Sequence, residues 1–177
     1  MKGLELFARS LKVSGVNFCV LAQDKGLEDF SRAFSEQGID VLTPISETAS
    51  AMIADGYARA SRKPGLIIAR EEIPKLITGI TSAWADKTPL ILISIISEAG
   101  KDFSSESGRK GPDFKEIFKP ITRFQAQVIQ AKEIPEFLIR AFQEAVCLRG
   151  GPVFLEVAGA AFKEKALRWF LLALPRF

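Results

Sequence analysis

Apolar residues along this chain recur in two alternating rhythms. One is the three-to-four-residue spacing of a helix with a single buried face, and the other is a short unbroken apolar run. Leu4, Phe7, Ala8 and Leu11 share one helical face, Lys2, Glu5, Arg9 and Lys12 share the opposite one, and Ser14-Gly15 stops the helix. Residues 16–22 form an apolar run suited to a buried strand. Leu27, Phe30, Ala33 and Phe34 are the stripe of a second helix that Gly38 ends, and residues 40–45 read as a second strand. Residues 47–61 predict a third helix, with Ala49, Met52, Ile53, Tyr57 and Ala60 expected to face inward.

The alternation continues after the Lys63-Pro64-Gly65 turn. Strands are predicted over 66–69, 89–96, 124–128 and 152–157, and helices over 73–85 and 131–148. Residues 98–112 form one long polar loop, of a length that in a compact domain marks function or mobility. Helices of this length between short apolar strands predict an α/β fold: a doubly wound, mostly parallel sheet of about six strands with helices on both faces. Such sheets bind ligands at the carboxyl ends of their strands. The loops at 23–26, 44–47, 70–74 and 97–112 are therefore the ones to inspect. No linker, repeat or low-complexity tract divides the chain.

Composition narrows the chemistry. With 177 residues there is room for one domain with a real core. A net charge of +3 gives no case for nucleic acid or an anionic membrane surface. The sequence has no histidine, which removes Ser-His and Cys-His catalysis and every histidine-containing zinc site. Cys19 and Cys147 are too far apart for a Cys-x-x-Cys site and are expected to be buried free thiols in a reducing cytoplasm. Residues 1–5 read into an amphipathic helix, not a signal peptide, and the apolar run 169–174 is too short to span a membrane.

One stretch is more specific. Glu47-Thr48-Ala49-Ser50-Ala51-Met52-Ile53-Ala54-Asp55-Gly56-Tyr57-Ala58-Arg59-Ala60, followed by Lys63-Pro64-Gly65, resembles the signature of the pyrimidine-binding (Pyr) domain of thiamine-diphosphate enzymes of the acetolactate synthase and pyruvate decarboxylase type. Residues 76–80, 83–86 and 88–91 are similar to that family's next helix and fourth strand, and 113–116, 118–123 and 151–156 to its later segments. The resemblance is collinear from about residue 3 to residue 157. It implies a Pyr-like domain over 1–162, with 163–177 as an apolar C-terminal tail expected to be helical.

In that family the glutamate at the position of Glu47 hydrogen-bonds a ring nitrogen of the cofactor's aminopyrimidine and relays a proton to it. The resemblance thus implies Glu47 as the catalytic acid–base. Gln23, Glu71 and Glu72 would be further cofactor-facing residues. Read by position alone, Glu47 is simply an acid in the first turn of a helix whose N-cap is Ser46. The family's Gly-rich loop after the third strand is replaced by Arg70-Glu71-Glu72, and the asparagine before its Leu-x-Thr-Gly-Ile segment is Lys75. The Gly-Asp-Gly and paired asparagines with which the family's second (PP) domain holds Mg²⁺ and the diphosphate do not occur. The expectation is a cytoplasmic chain that self-associates as a homodimer or joins a separate PP-domain subunit. It would share thiamine diphosphate, with Mg²⁺ only through that partner, and act on a 2-keto acid. The alternative is a non-catalytic Pyr-like binding module.

Overall fold

The computed structural model describes residues 1–23, 26–70, 73–96 and 113–165. The elements follow in the order α1 (Gly3–Val13), β1 (Phe18–Leu21), α2 (Glu28–Glu36), β2 (Asp40–Leu42), α3 (Glu47–Ser61) and β3 (Gly65–Ala69). A 3-10 turn over Ile73–Leu76 leads into α4 (Ile77–Asp86), then β4 (Leu90–Ile96), α5 (Phe114–Phe118), β5 (Phe124–Val128), α6 (Ile134–Val146), β6 (Val153–Ala158) and α7 (Gly159–Lys163). The strands form one six-stranded sheet in the order β2-β1-β3-β4-β6-β5. Every neighbouring pair is parallel, from Phe18 opposite Asp40 at one edge to Phe124 opposite Val153 at the other. The fold class read from the sequence is the one observed.

Strand alternation divides the core. Ile91, Ile93 and Ile95 of β4 point into the layer made by α1, α2, α6 and α7, while Leu90 and Leu92 point into the layer made by α3, α4 and α5. The first layer is built on rings: Phe7 lies 5.8 Å from Phe34 and 5.3 Å from Phe162, and Phe30 lies 4.8 Å from Phe162. In the second layer Phe118 stacks on Phe154 at 5.0 Å, while the contact between α3 and α4 is made by small residues: Ser50, Ala51, Ala54 and Ala58 are buried on α3, and Gly79 and Ala83 flank buried Ile80 on α4.

This corrects the inward face expected for α3. Met52 is 43% exposed, Ala60 is exposed, and Ala49, Ile53 and Tyr57 are half-buried. Close approach is the cause: a Cβ at Gly79 would run into the Cβ of Ala51, and a Cβ at Gly65 into the carbonyl oxygen of Ala54. Helices this near the sheet and each other leave space only for small side chains. Tyr57 packs instead along the flank, its ring 4.7 Å from that of Phe18.

The helix expected over 131–148 divides between Glu133 and Ile134, with Pro135 in the first turn of α6. A 3-10 turn over Ala131–Glu133 precedes it, with Gln130 and Glu133 capping one another reciprocally, and α6 ends at Val146. Cys147 is accordingly a half-buried residue at the helix C-terminus, while Cys19 is fully buried in β1 as expected. The helices α5 and α7 are each five residues long, too short to show a period in sequence. Asp24, Lys25, Glu71, Glu72, the loop 97–112 and residues 166–177 of the expected tail lie outside the described residues.

Candidate functional site

Glu47 sits where the chain leaves the carboxyl end of β2 and turns into α3. Ser46 is in extended backbone, and its hydroxyl accepts from the Ala49 amide at 3.3 Å, an N-cap that places Glu47 in the first turn. The Glu47 side chain is 12% exposed, and its Oε2 lies 3.5 Å from Nζ of Lys75, which is 52% exposed. The Thr48 hydroxyl donates to the Lys75 carbonyl at 3.1 Å, so the start of α3 and the turn before α4 are joined twice. The result is a nearly buried carboxylate at the carboxyl edge of a parallel sheet, facing one ammonium group. Such a carboxyl can accept from a ring N–H or exchange a proton with a ring nitrogen. The expected strand-to-helix placement of Glu47 is observed. Its role is not decided by position.

Gln23 follows β1 on the same edge and is exposed. It lines a cavity of about 570 Å³ with Ala22, Leu27, Ser31 and Thr43. Glu47 is not among that cavity's lining residues. Arg70, at the end of β3, reaches toward the loop after β1, where a Cβ on Gly26 would stand 2.8 Å from its guanidinium nitrogen Nη1. Glu71 and Glu72 lie outside the described residues.

The sequence reading missed one acid. Glu156 of β6 is fully buried. It is registered between Ser94 of β4 and Gln127 of β5, and its Oε2 lies 3.8 Å from Nζ of Lys115. Strand alternation puts it on the side of Phe154, in the α3–α5 layer. The signal was available in the apolar run Val153-Phe154-Leu155-Glu156-Val157, where one charge interrupts a strand buried on both faces.

These residues fit one part of a thiamine cofactor and not the other. A nearly buried carboxylate suits an aminopyrimidine ring. For the diphosphate and its Mg²⁺, the described residues hold no cluster of three acidic, cysteine or histidine side chains, and Asn17 is the sole asparagine in the sequence. No helix among the described residues is long and apolar enough to cross a membrane.

Comparison with known proteins gives the family. The family described as "Thiamine pyrophosphate enzyme, N-terminal TPP binding domain" matches residues 1–113, and the chain belongs to that family. It is 30% identical to the acetolactate synthase large subunit of Haemophilus influenzae over 89% of this chain and 28% of the relative. It is also 30% identical to the protein named "Probable 2-ketoarginine decarboxylase AruI" of Pseudomonas aeruginosa, over 71% of this chain and 23% of the relative. The fold matches the X-ray structure of a Mycobacterium smegmatis protein described as a thiamin diphosphate-dependent enzyme, with a TM-score of 0.84 at 21% identity over all of this chain and 34% of the other. The chain thus spans about a quarter of the length of the curated relatives it matches.

Proposed function

We propose that this chain is the Pyr-type subunit of a thiamine-diphosphate-dependent 2-keto acid decarboxylase or carboligase. Glu47 serves as the proton relay to the aminopyrimidine, and a PP-type domain on a separate chain supplies the Mg²⁺ and diphosphate site. The observation that carries this reading is Glu47 itself: a carboxylate 12% exposed, at a sheet's carboxyl edge, in a chain of this family. When bound, the cofactor supplies the electron sink for decarboxylation. The chain's own share is to hold Glu47 in place through the Ser46 cap and to keep water from its carboxyl group.

The reading is tested by calorimetric titration with thiamine diphosphate and Mg²⁺, with and without a PP-type chain, followed by assay of 2-keto acid decarboxylation. The isolated chain is expected to be inactive and the mixture active. Glu47→Gln keeps the shape, removes the exchangeable proton, and is expected to cost most of that activity. A mixture indifferent to Glu47→Gln would remove the relay role, and turnover by the isolated chain would remove the need for a partner.

A second reading, a non-catalytic binding module, is favoured by one contact. Lys75 stands 3.5 Å from the Glu47 carboxylate and gives it a partner within the chain. Under either reading the chain is proposed to pair with a second copy, because Ile45, Met52 and Trp84 leave apolar surface exposed around α3 and α4. Light scattering at high micromolar concentration is expected to give twice the mass of one chain. A strict monomer would count against this.

A further inference from the structure

A second cavity, of about 390 Å³, opens at the amino ends of β4, β5 and β6, on the sheet edge opposite Glu47. That volume falls in the range of small-molecule sites. Trp84, Ala85, Lys87, Arg123, Arg149 and Gly150 line it, and among the described residues no acid does. The acids beside it are already engaged. Asp86, next to Lys87, is held by Arg59 at 2.6 Å, and Glu144 is held by Arg123 at 3.3 Å. Lys87 and Arg149 are exposed, and neither side chain has a hydrogen bond or an ion pair among the described residues. The opening thus carries two uncompensated positive charges, with a third cation alongside.

The chain fixes the supports of these groups. The Lys87 amide donates to the Trp84 carbonyl at 3.3 Å and the Thr88 amide to the Ala83 carbonyl at 2.8 Å, which closes the end of α4. Lys87 holds φ at 56°, a left-handed conformation uncommon for a residue with a side chain. Arg149 sits on a loop tied down at three points. Nη1 of Arg123 donates to its carbonyl at 2.9 Å, the Gly150 amide to the Cys147 carbonyl at 2.7 Å, and the Gly151 amide to the Ala145 carbonyl at 3.0 Å. Glycine is needed at 150, where a Cβ would run into the Ala145 carbonyl oxygen. Trp84 is 41% exposed, and its ring approaches the same loop: a Cβ on Gly151 would stand 3.9 Å from its Cε3. An indole, an ammonium and a guanidinium therefore line one opening from two fixed supports.

We propose that this cavity binds a phosphate ester carrying a flat ring, such as a nucleoside monophosphate: the phosphate on Lys87 and Arg149, with Arg123 beside them, and the ring against Trp84. A guanidinium matches a phosphate through two parallel hydrogen bonds, and an ammonium adds a point charge. Cations set around a low-dielectric wall focus a field that draws an anion. An exposed indole adds stacking, which rewards any ligand with an aromatic face. This goes beyond the thiamine reading and needs neither Glu47 nor a partner chain.

The probe is adenosine monophosphate, titrated calorimetrically into the full chain. Adenosine has the ring without the charge, and glycerol phosphate has the charge without the ring. Adenosine monophosphate is expected to bind at least roughly tenfold more tightly than either, and Arg149→Gln to weaken it roughly tenfold, the scale of a lost charge-assisted hydrogen bond. Trp84→Ala is expected to bring it down to the level of glycerol phosphate. Glu47→Gln is expected to change nothing. No binding of adenosine monophosphate, binding equal to that of either control, or binding indifferent to Arg149→Gln in a normally melting protein would overturn the proposal. Loss of binding in Glu47→Gln would do the same, by placing the ligand in the thiamine-type site. Trp84 also belongs to the surface proposed for a second copy, so these outcomes are read on whichever species, one chain or two, light scattering shows in the same buffer. Should Arg149→Gln lower the melting temperature, the exposed Lys87→Gln decides instead: weaker binding supports the site, and unchanged binding overturns it.

Discussion

The two helical layers on this sheet are closed by opposite means. On one side, Phe7, Phe30, Phe34 and Phe162 interlock ring against ring between α1, α2 and α7. On the other, α3 and α4 approach until Ala51 meets Gly79, and serine and alanine line the buried face. The first layer fills a wide gap with volume, and the second removes the gap. This teaches where apolar side chains end up. In the aromatic cluster they are spent inside, with Phe7 and Phe34 fully buried, while at the α3–α4 contact Met52 and Trp84 remain at the surface, where a second protein surface could use them. The proposed relay Glu47 begins the close-packed layer.

The largest expected effect comes from emptying the aromatic layer. Phe7 is fully buried and touches three other rings, so Phe7→Ala is expected to cost about 3–5 kcal/mol of stability. At this chain length that is a fall in melting temperature of roughly 2–4 °C per kcal/mol, read by thermal unfolding. A loss below about 1 kcal/mol would mean that the rings collapse onto the space left behind, and the layer would not depend on volume.

The close-packed layer should fail in the other direction, by addition. Glycine to alanine in a helix ordinarily gains about 1 kcal/mol. In Gly79→Ala the new methyl meets Ala51 Cβ directly, and the expected result is a loss of about 1–3 kcal/mol instead. A denaturant double-mutant cycle with Ala51→Gly isolates the clash: the double variant should lose less than the two single losses together. A stabilised Gly79→Ala would show that the helices can part cheaply, and the contrast between the layers would disappear.

The same contrast explains what was legible in the sequence. The aromatic layer reads directly, because Leu4, Phe7 and Leu11, and then Phe30 and Phe34, repeat at helical spacing and are the most apolar residues in their segments. The bounds of α3 also read directly, from Ser46 at one end and the Lys63-Pro64-Gly65 turn at the other. Its buried face did not. Apolar side-chain area ranks Met52, Ile53 and Tyr57 above Ser50, Ala51 and Ala54, yet the distance to Gly79 and Gly65 decides which stripe fits. That distance is set by residues remote in sequence. The site divides likewise. Glu47 was visible as a first-turn acid, whereas its ion pair with Lys75 and the reach of Arg70 toward Gly26 depend on crossovers that no local window contains.

The smallest expected effect concerns a thiol facing the aromatic layer. Cys19 is fully buried among that layer's residues, and burial pushes its thiol up to about 12. In the unfolded chain the thiol titrates near about 8.5. Below that value both states keep the proton, and Cys19 adds no pH dependence. As pH rises further, the unfolded state releases its proton while the folded state retains it. The unfolded state then binds fewer protons, so stability falls with pH, by at most about 1.4 kcal/mol per unit. Cys19→Val removes this dependence and keeps an apolar side chain in the core. The stability difference between wild type and Cys19→Val should therefore be flat from pH 6 to 8, about two units below and just under the free-thiol value, and should then shift toward the variant as pH rises. A thiol reagent at pH 8, about the free-thiol range, should label half-buried Cys147 on the native protein and reach Cys19 only on unfolding. Equal labelling of both cysteines in the native state would show that β1 opens readily beneath the aromatic layer. The layer would then be less tightly closed than its ring contacts indicate.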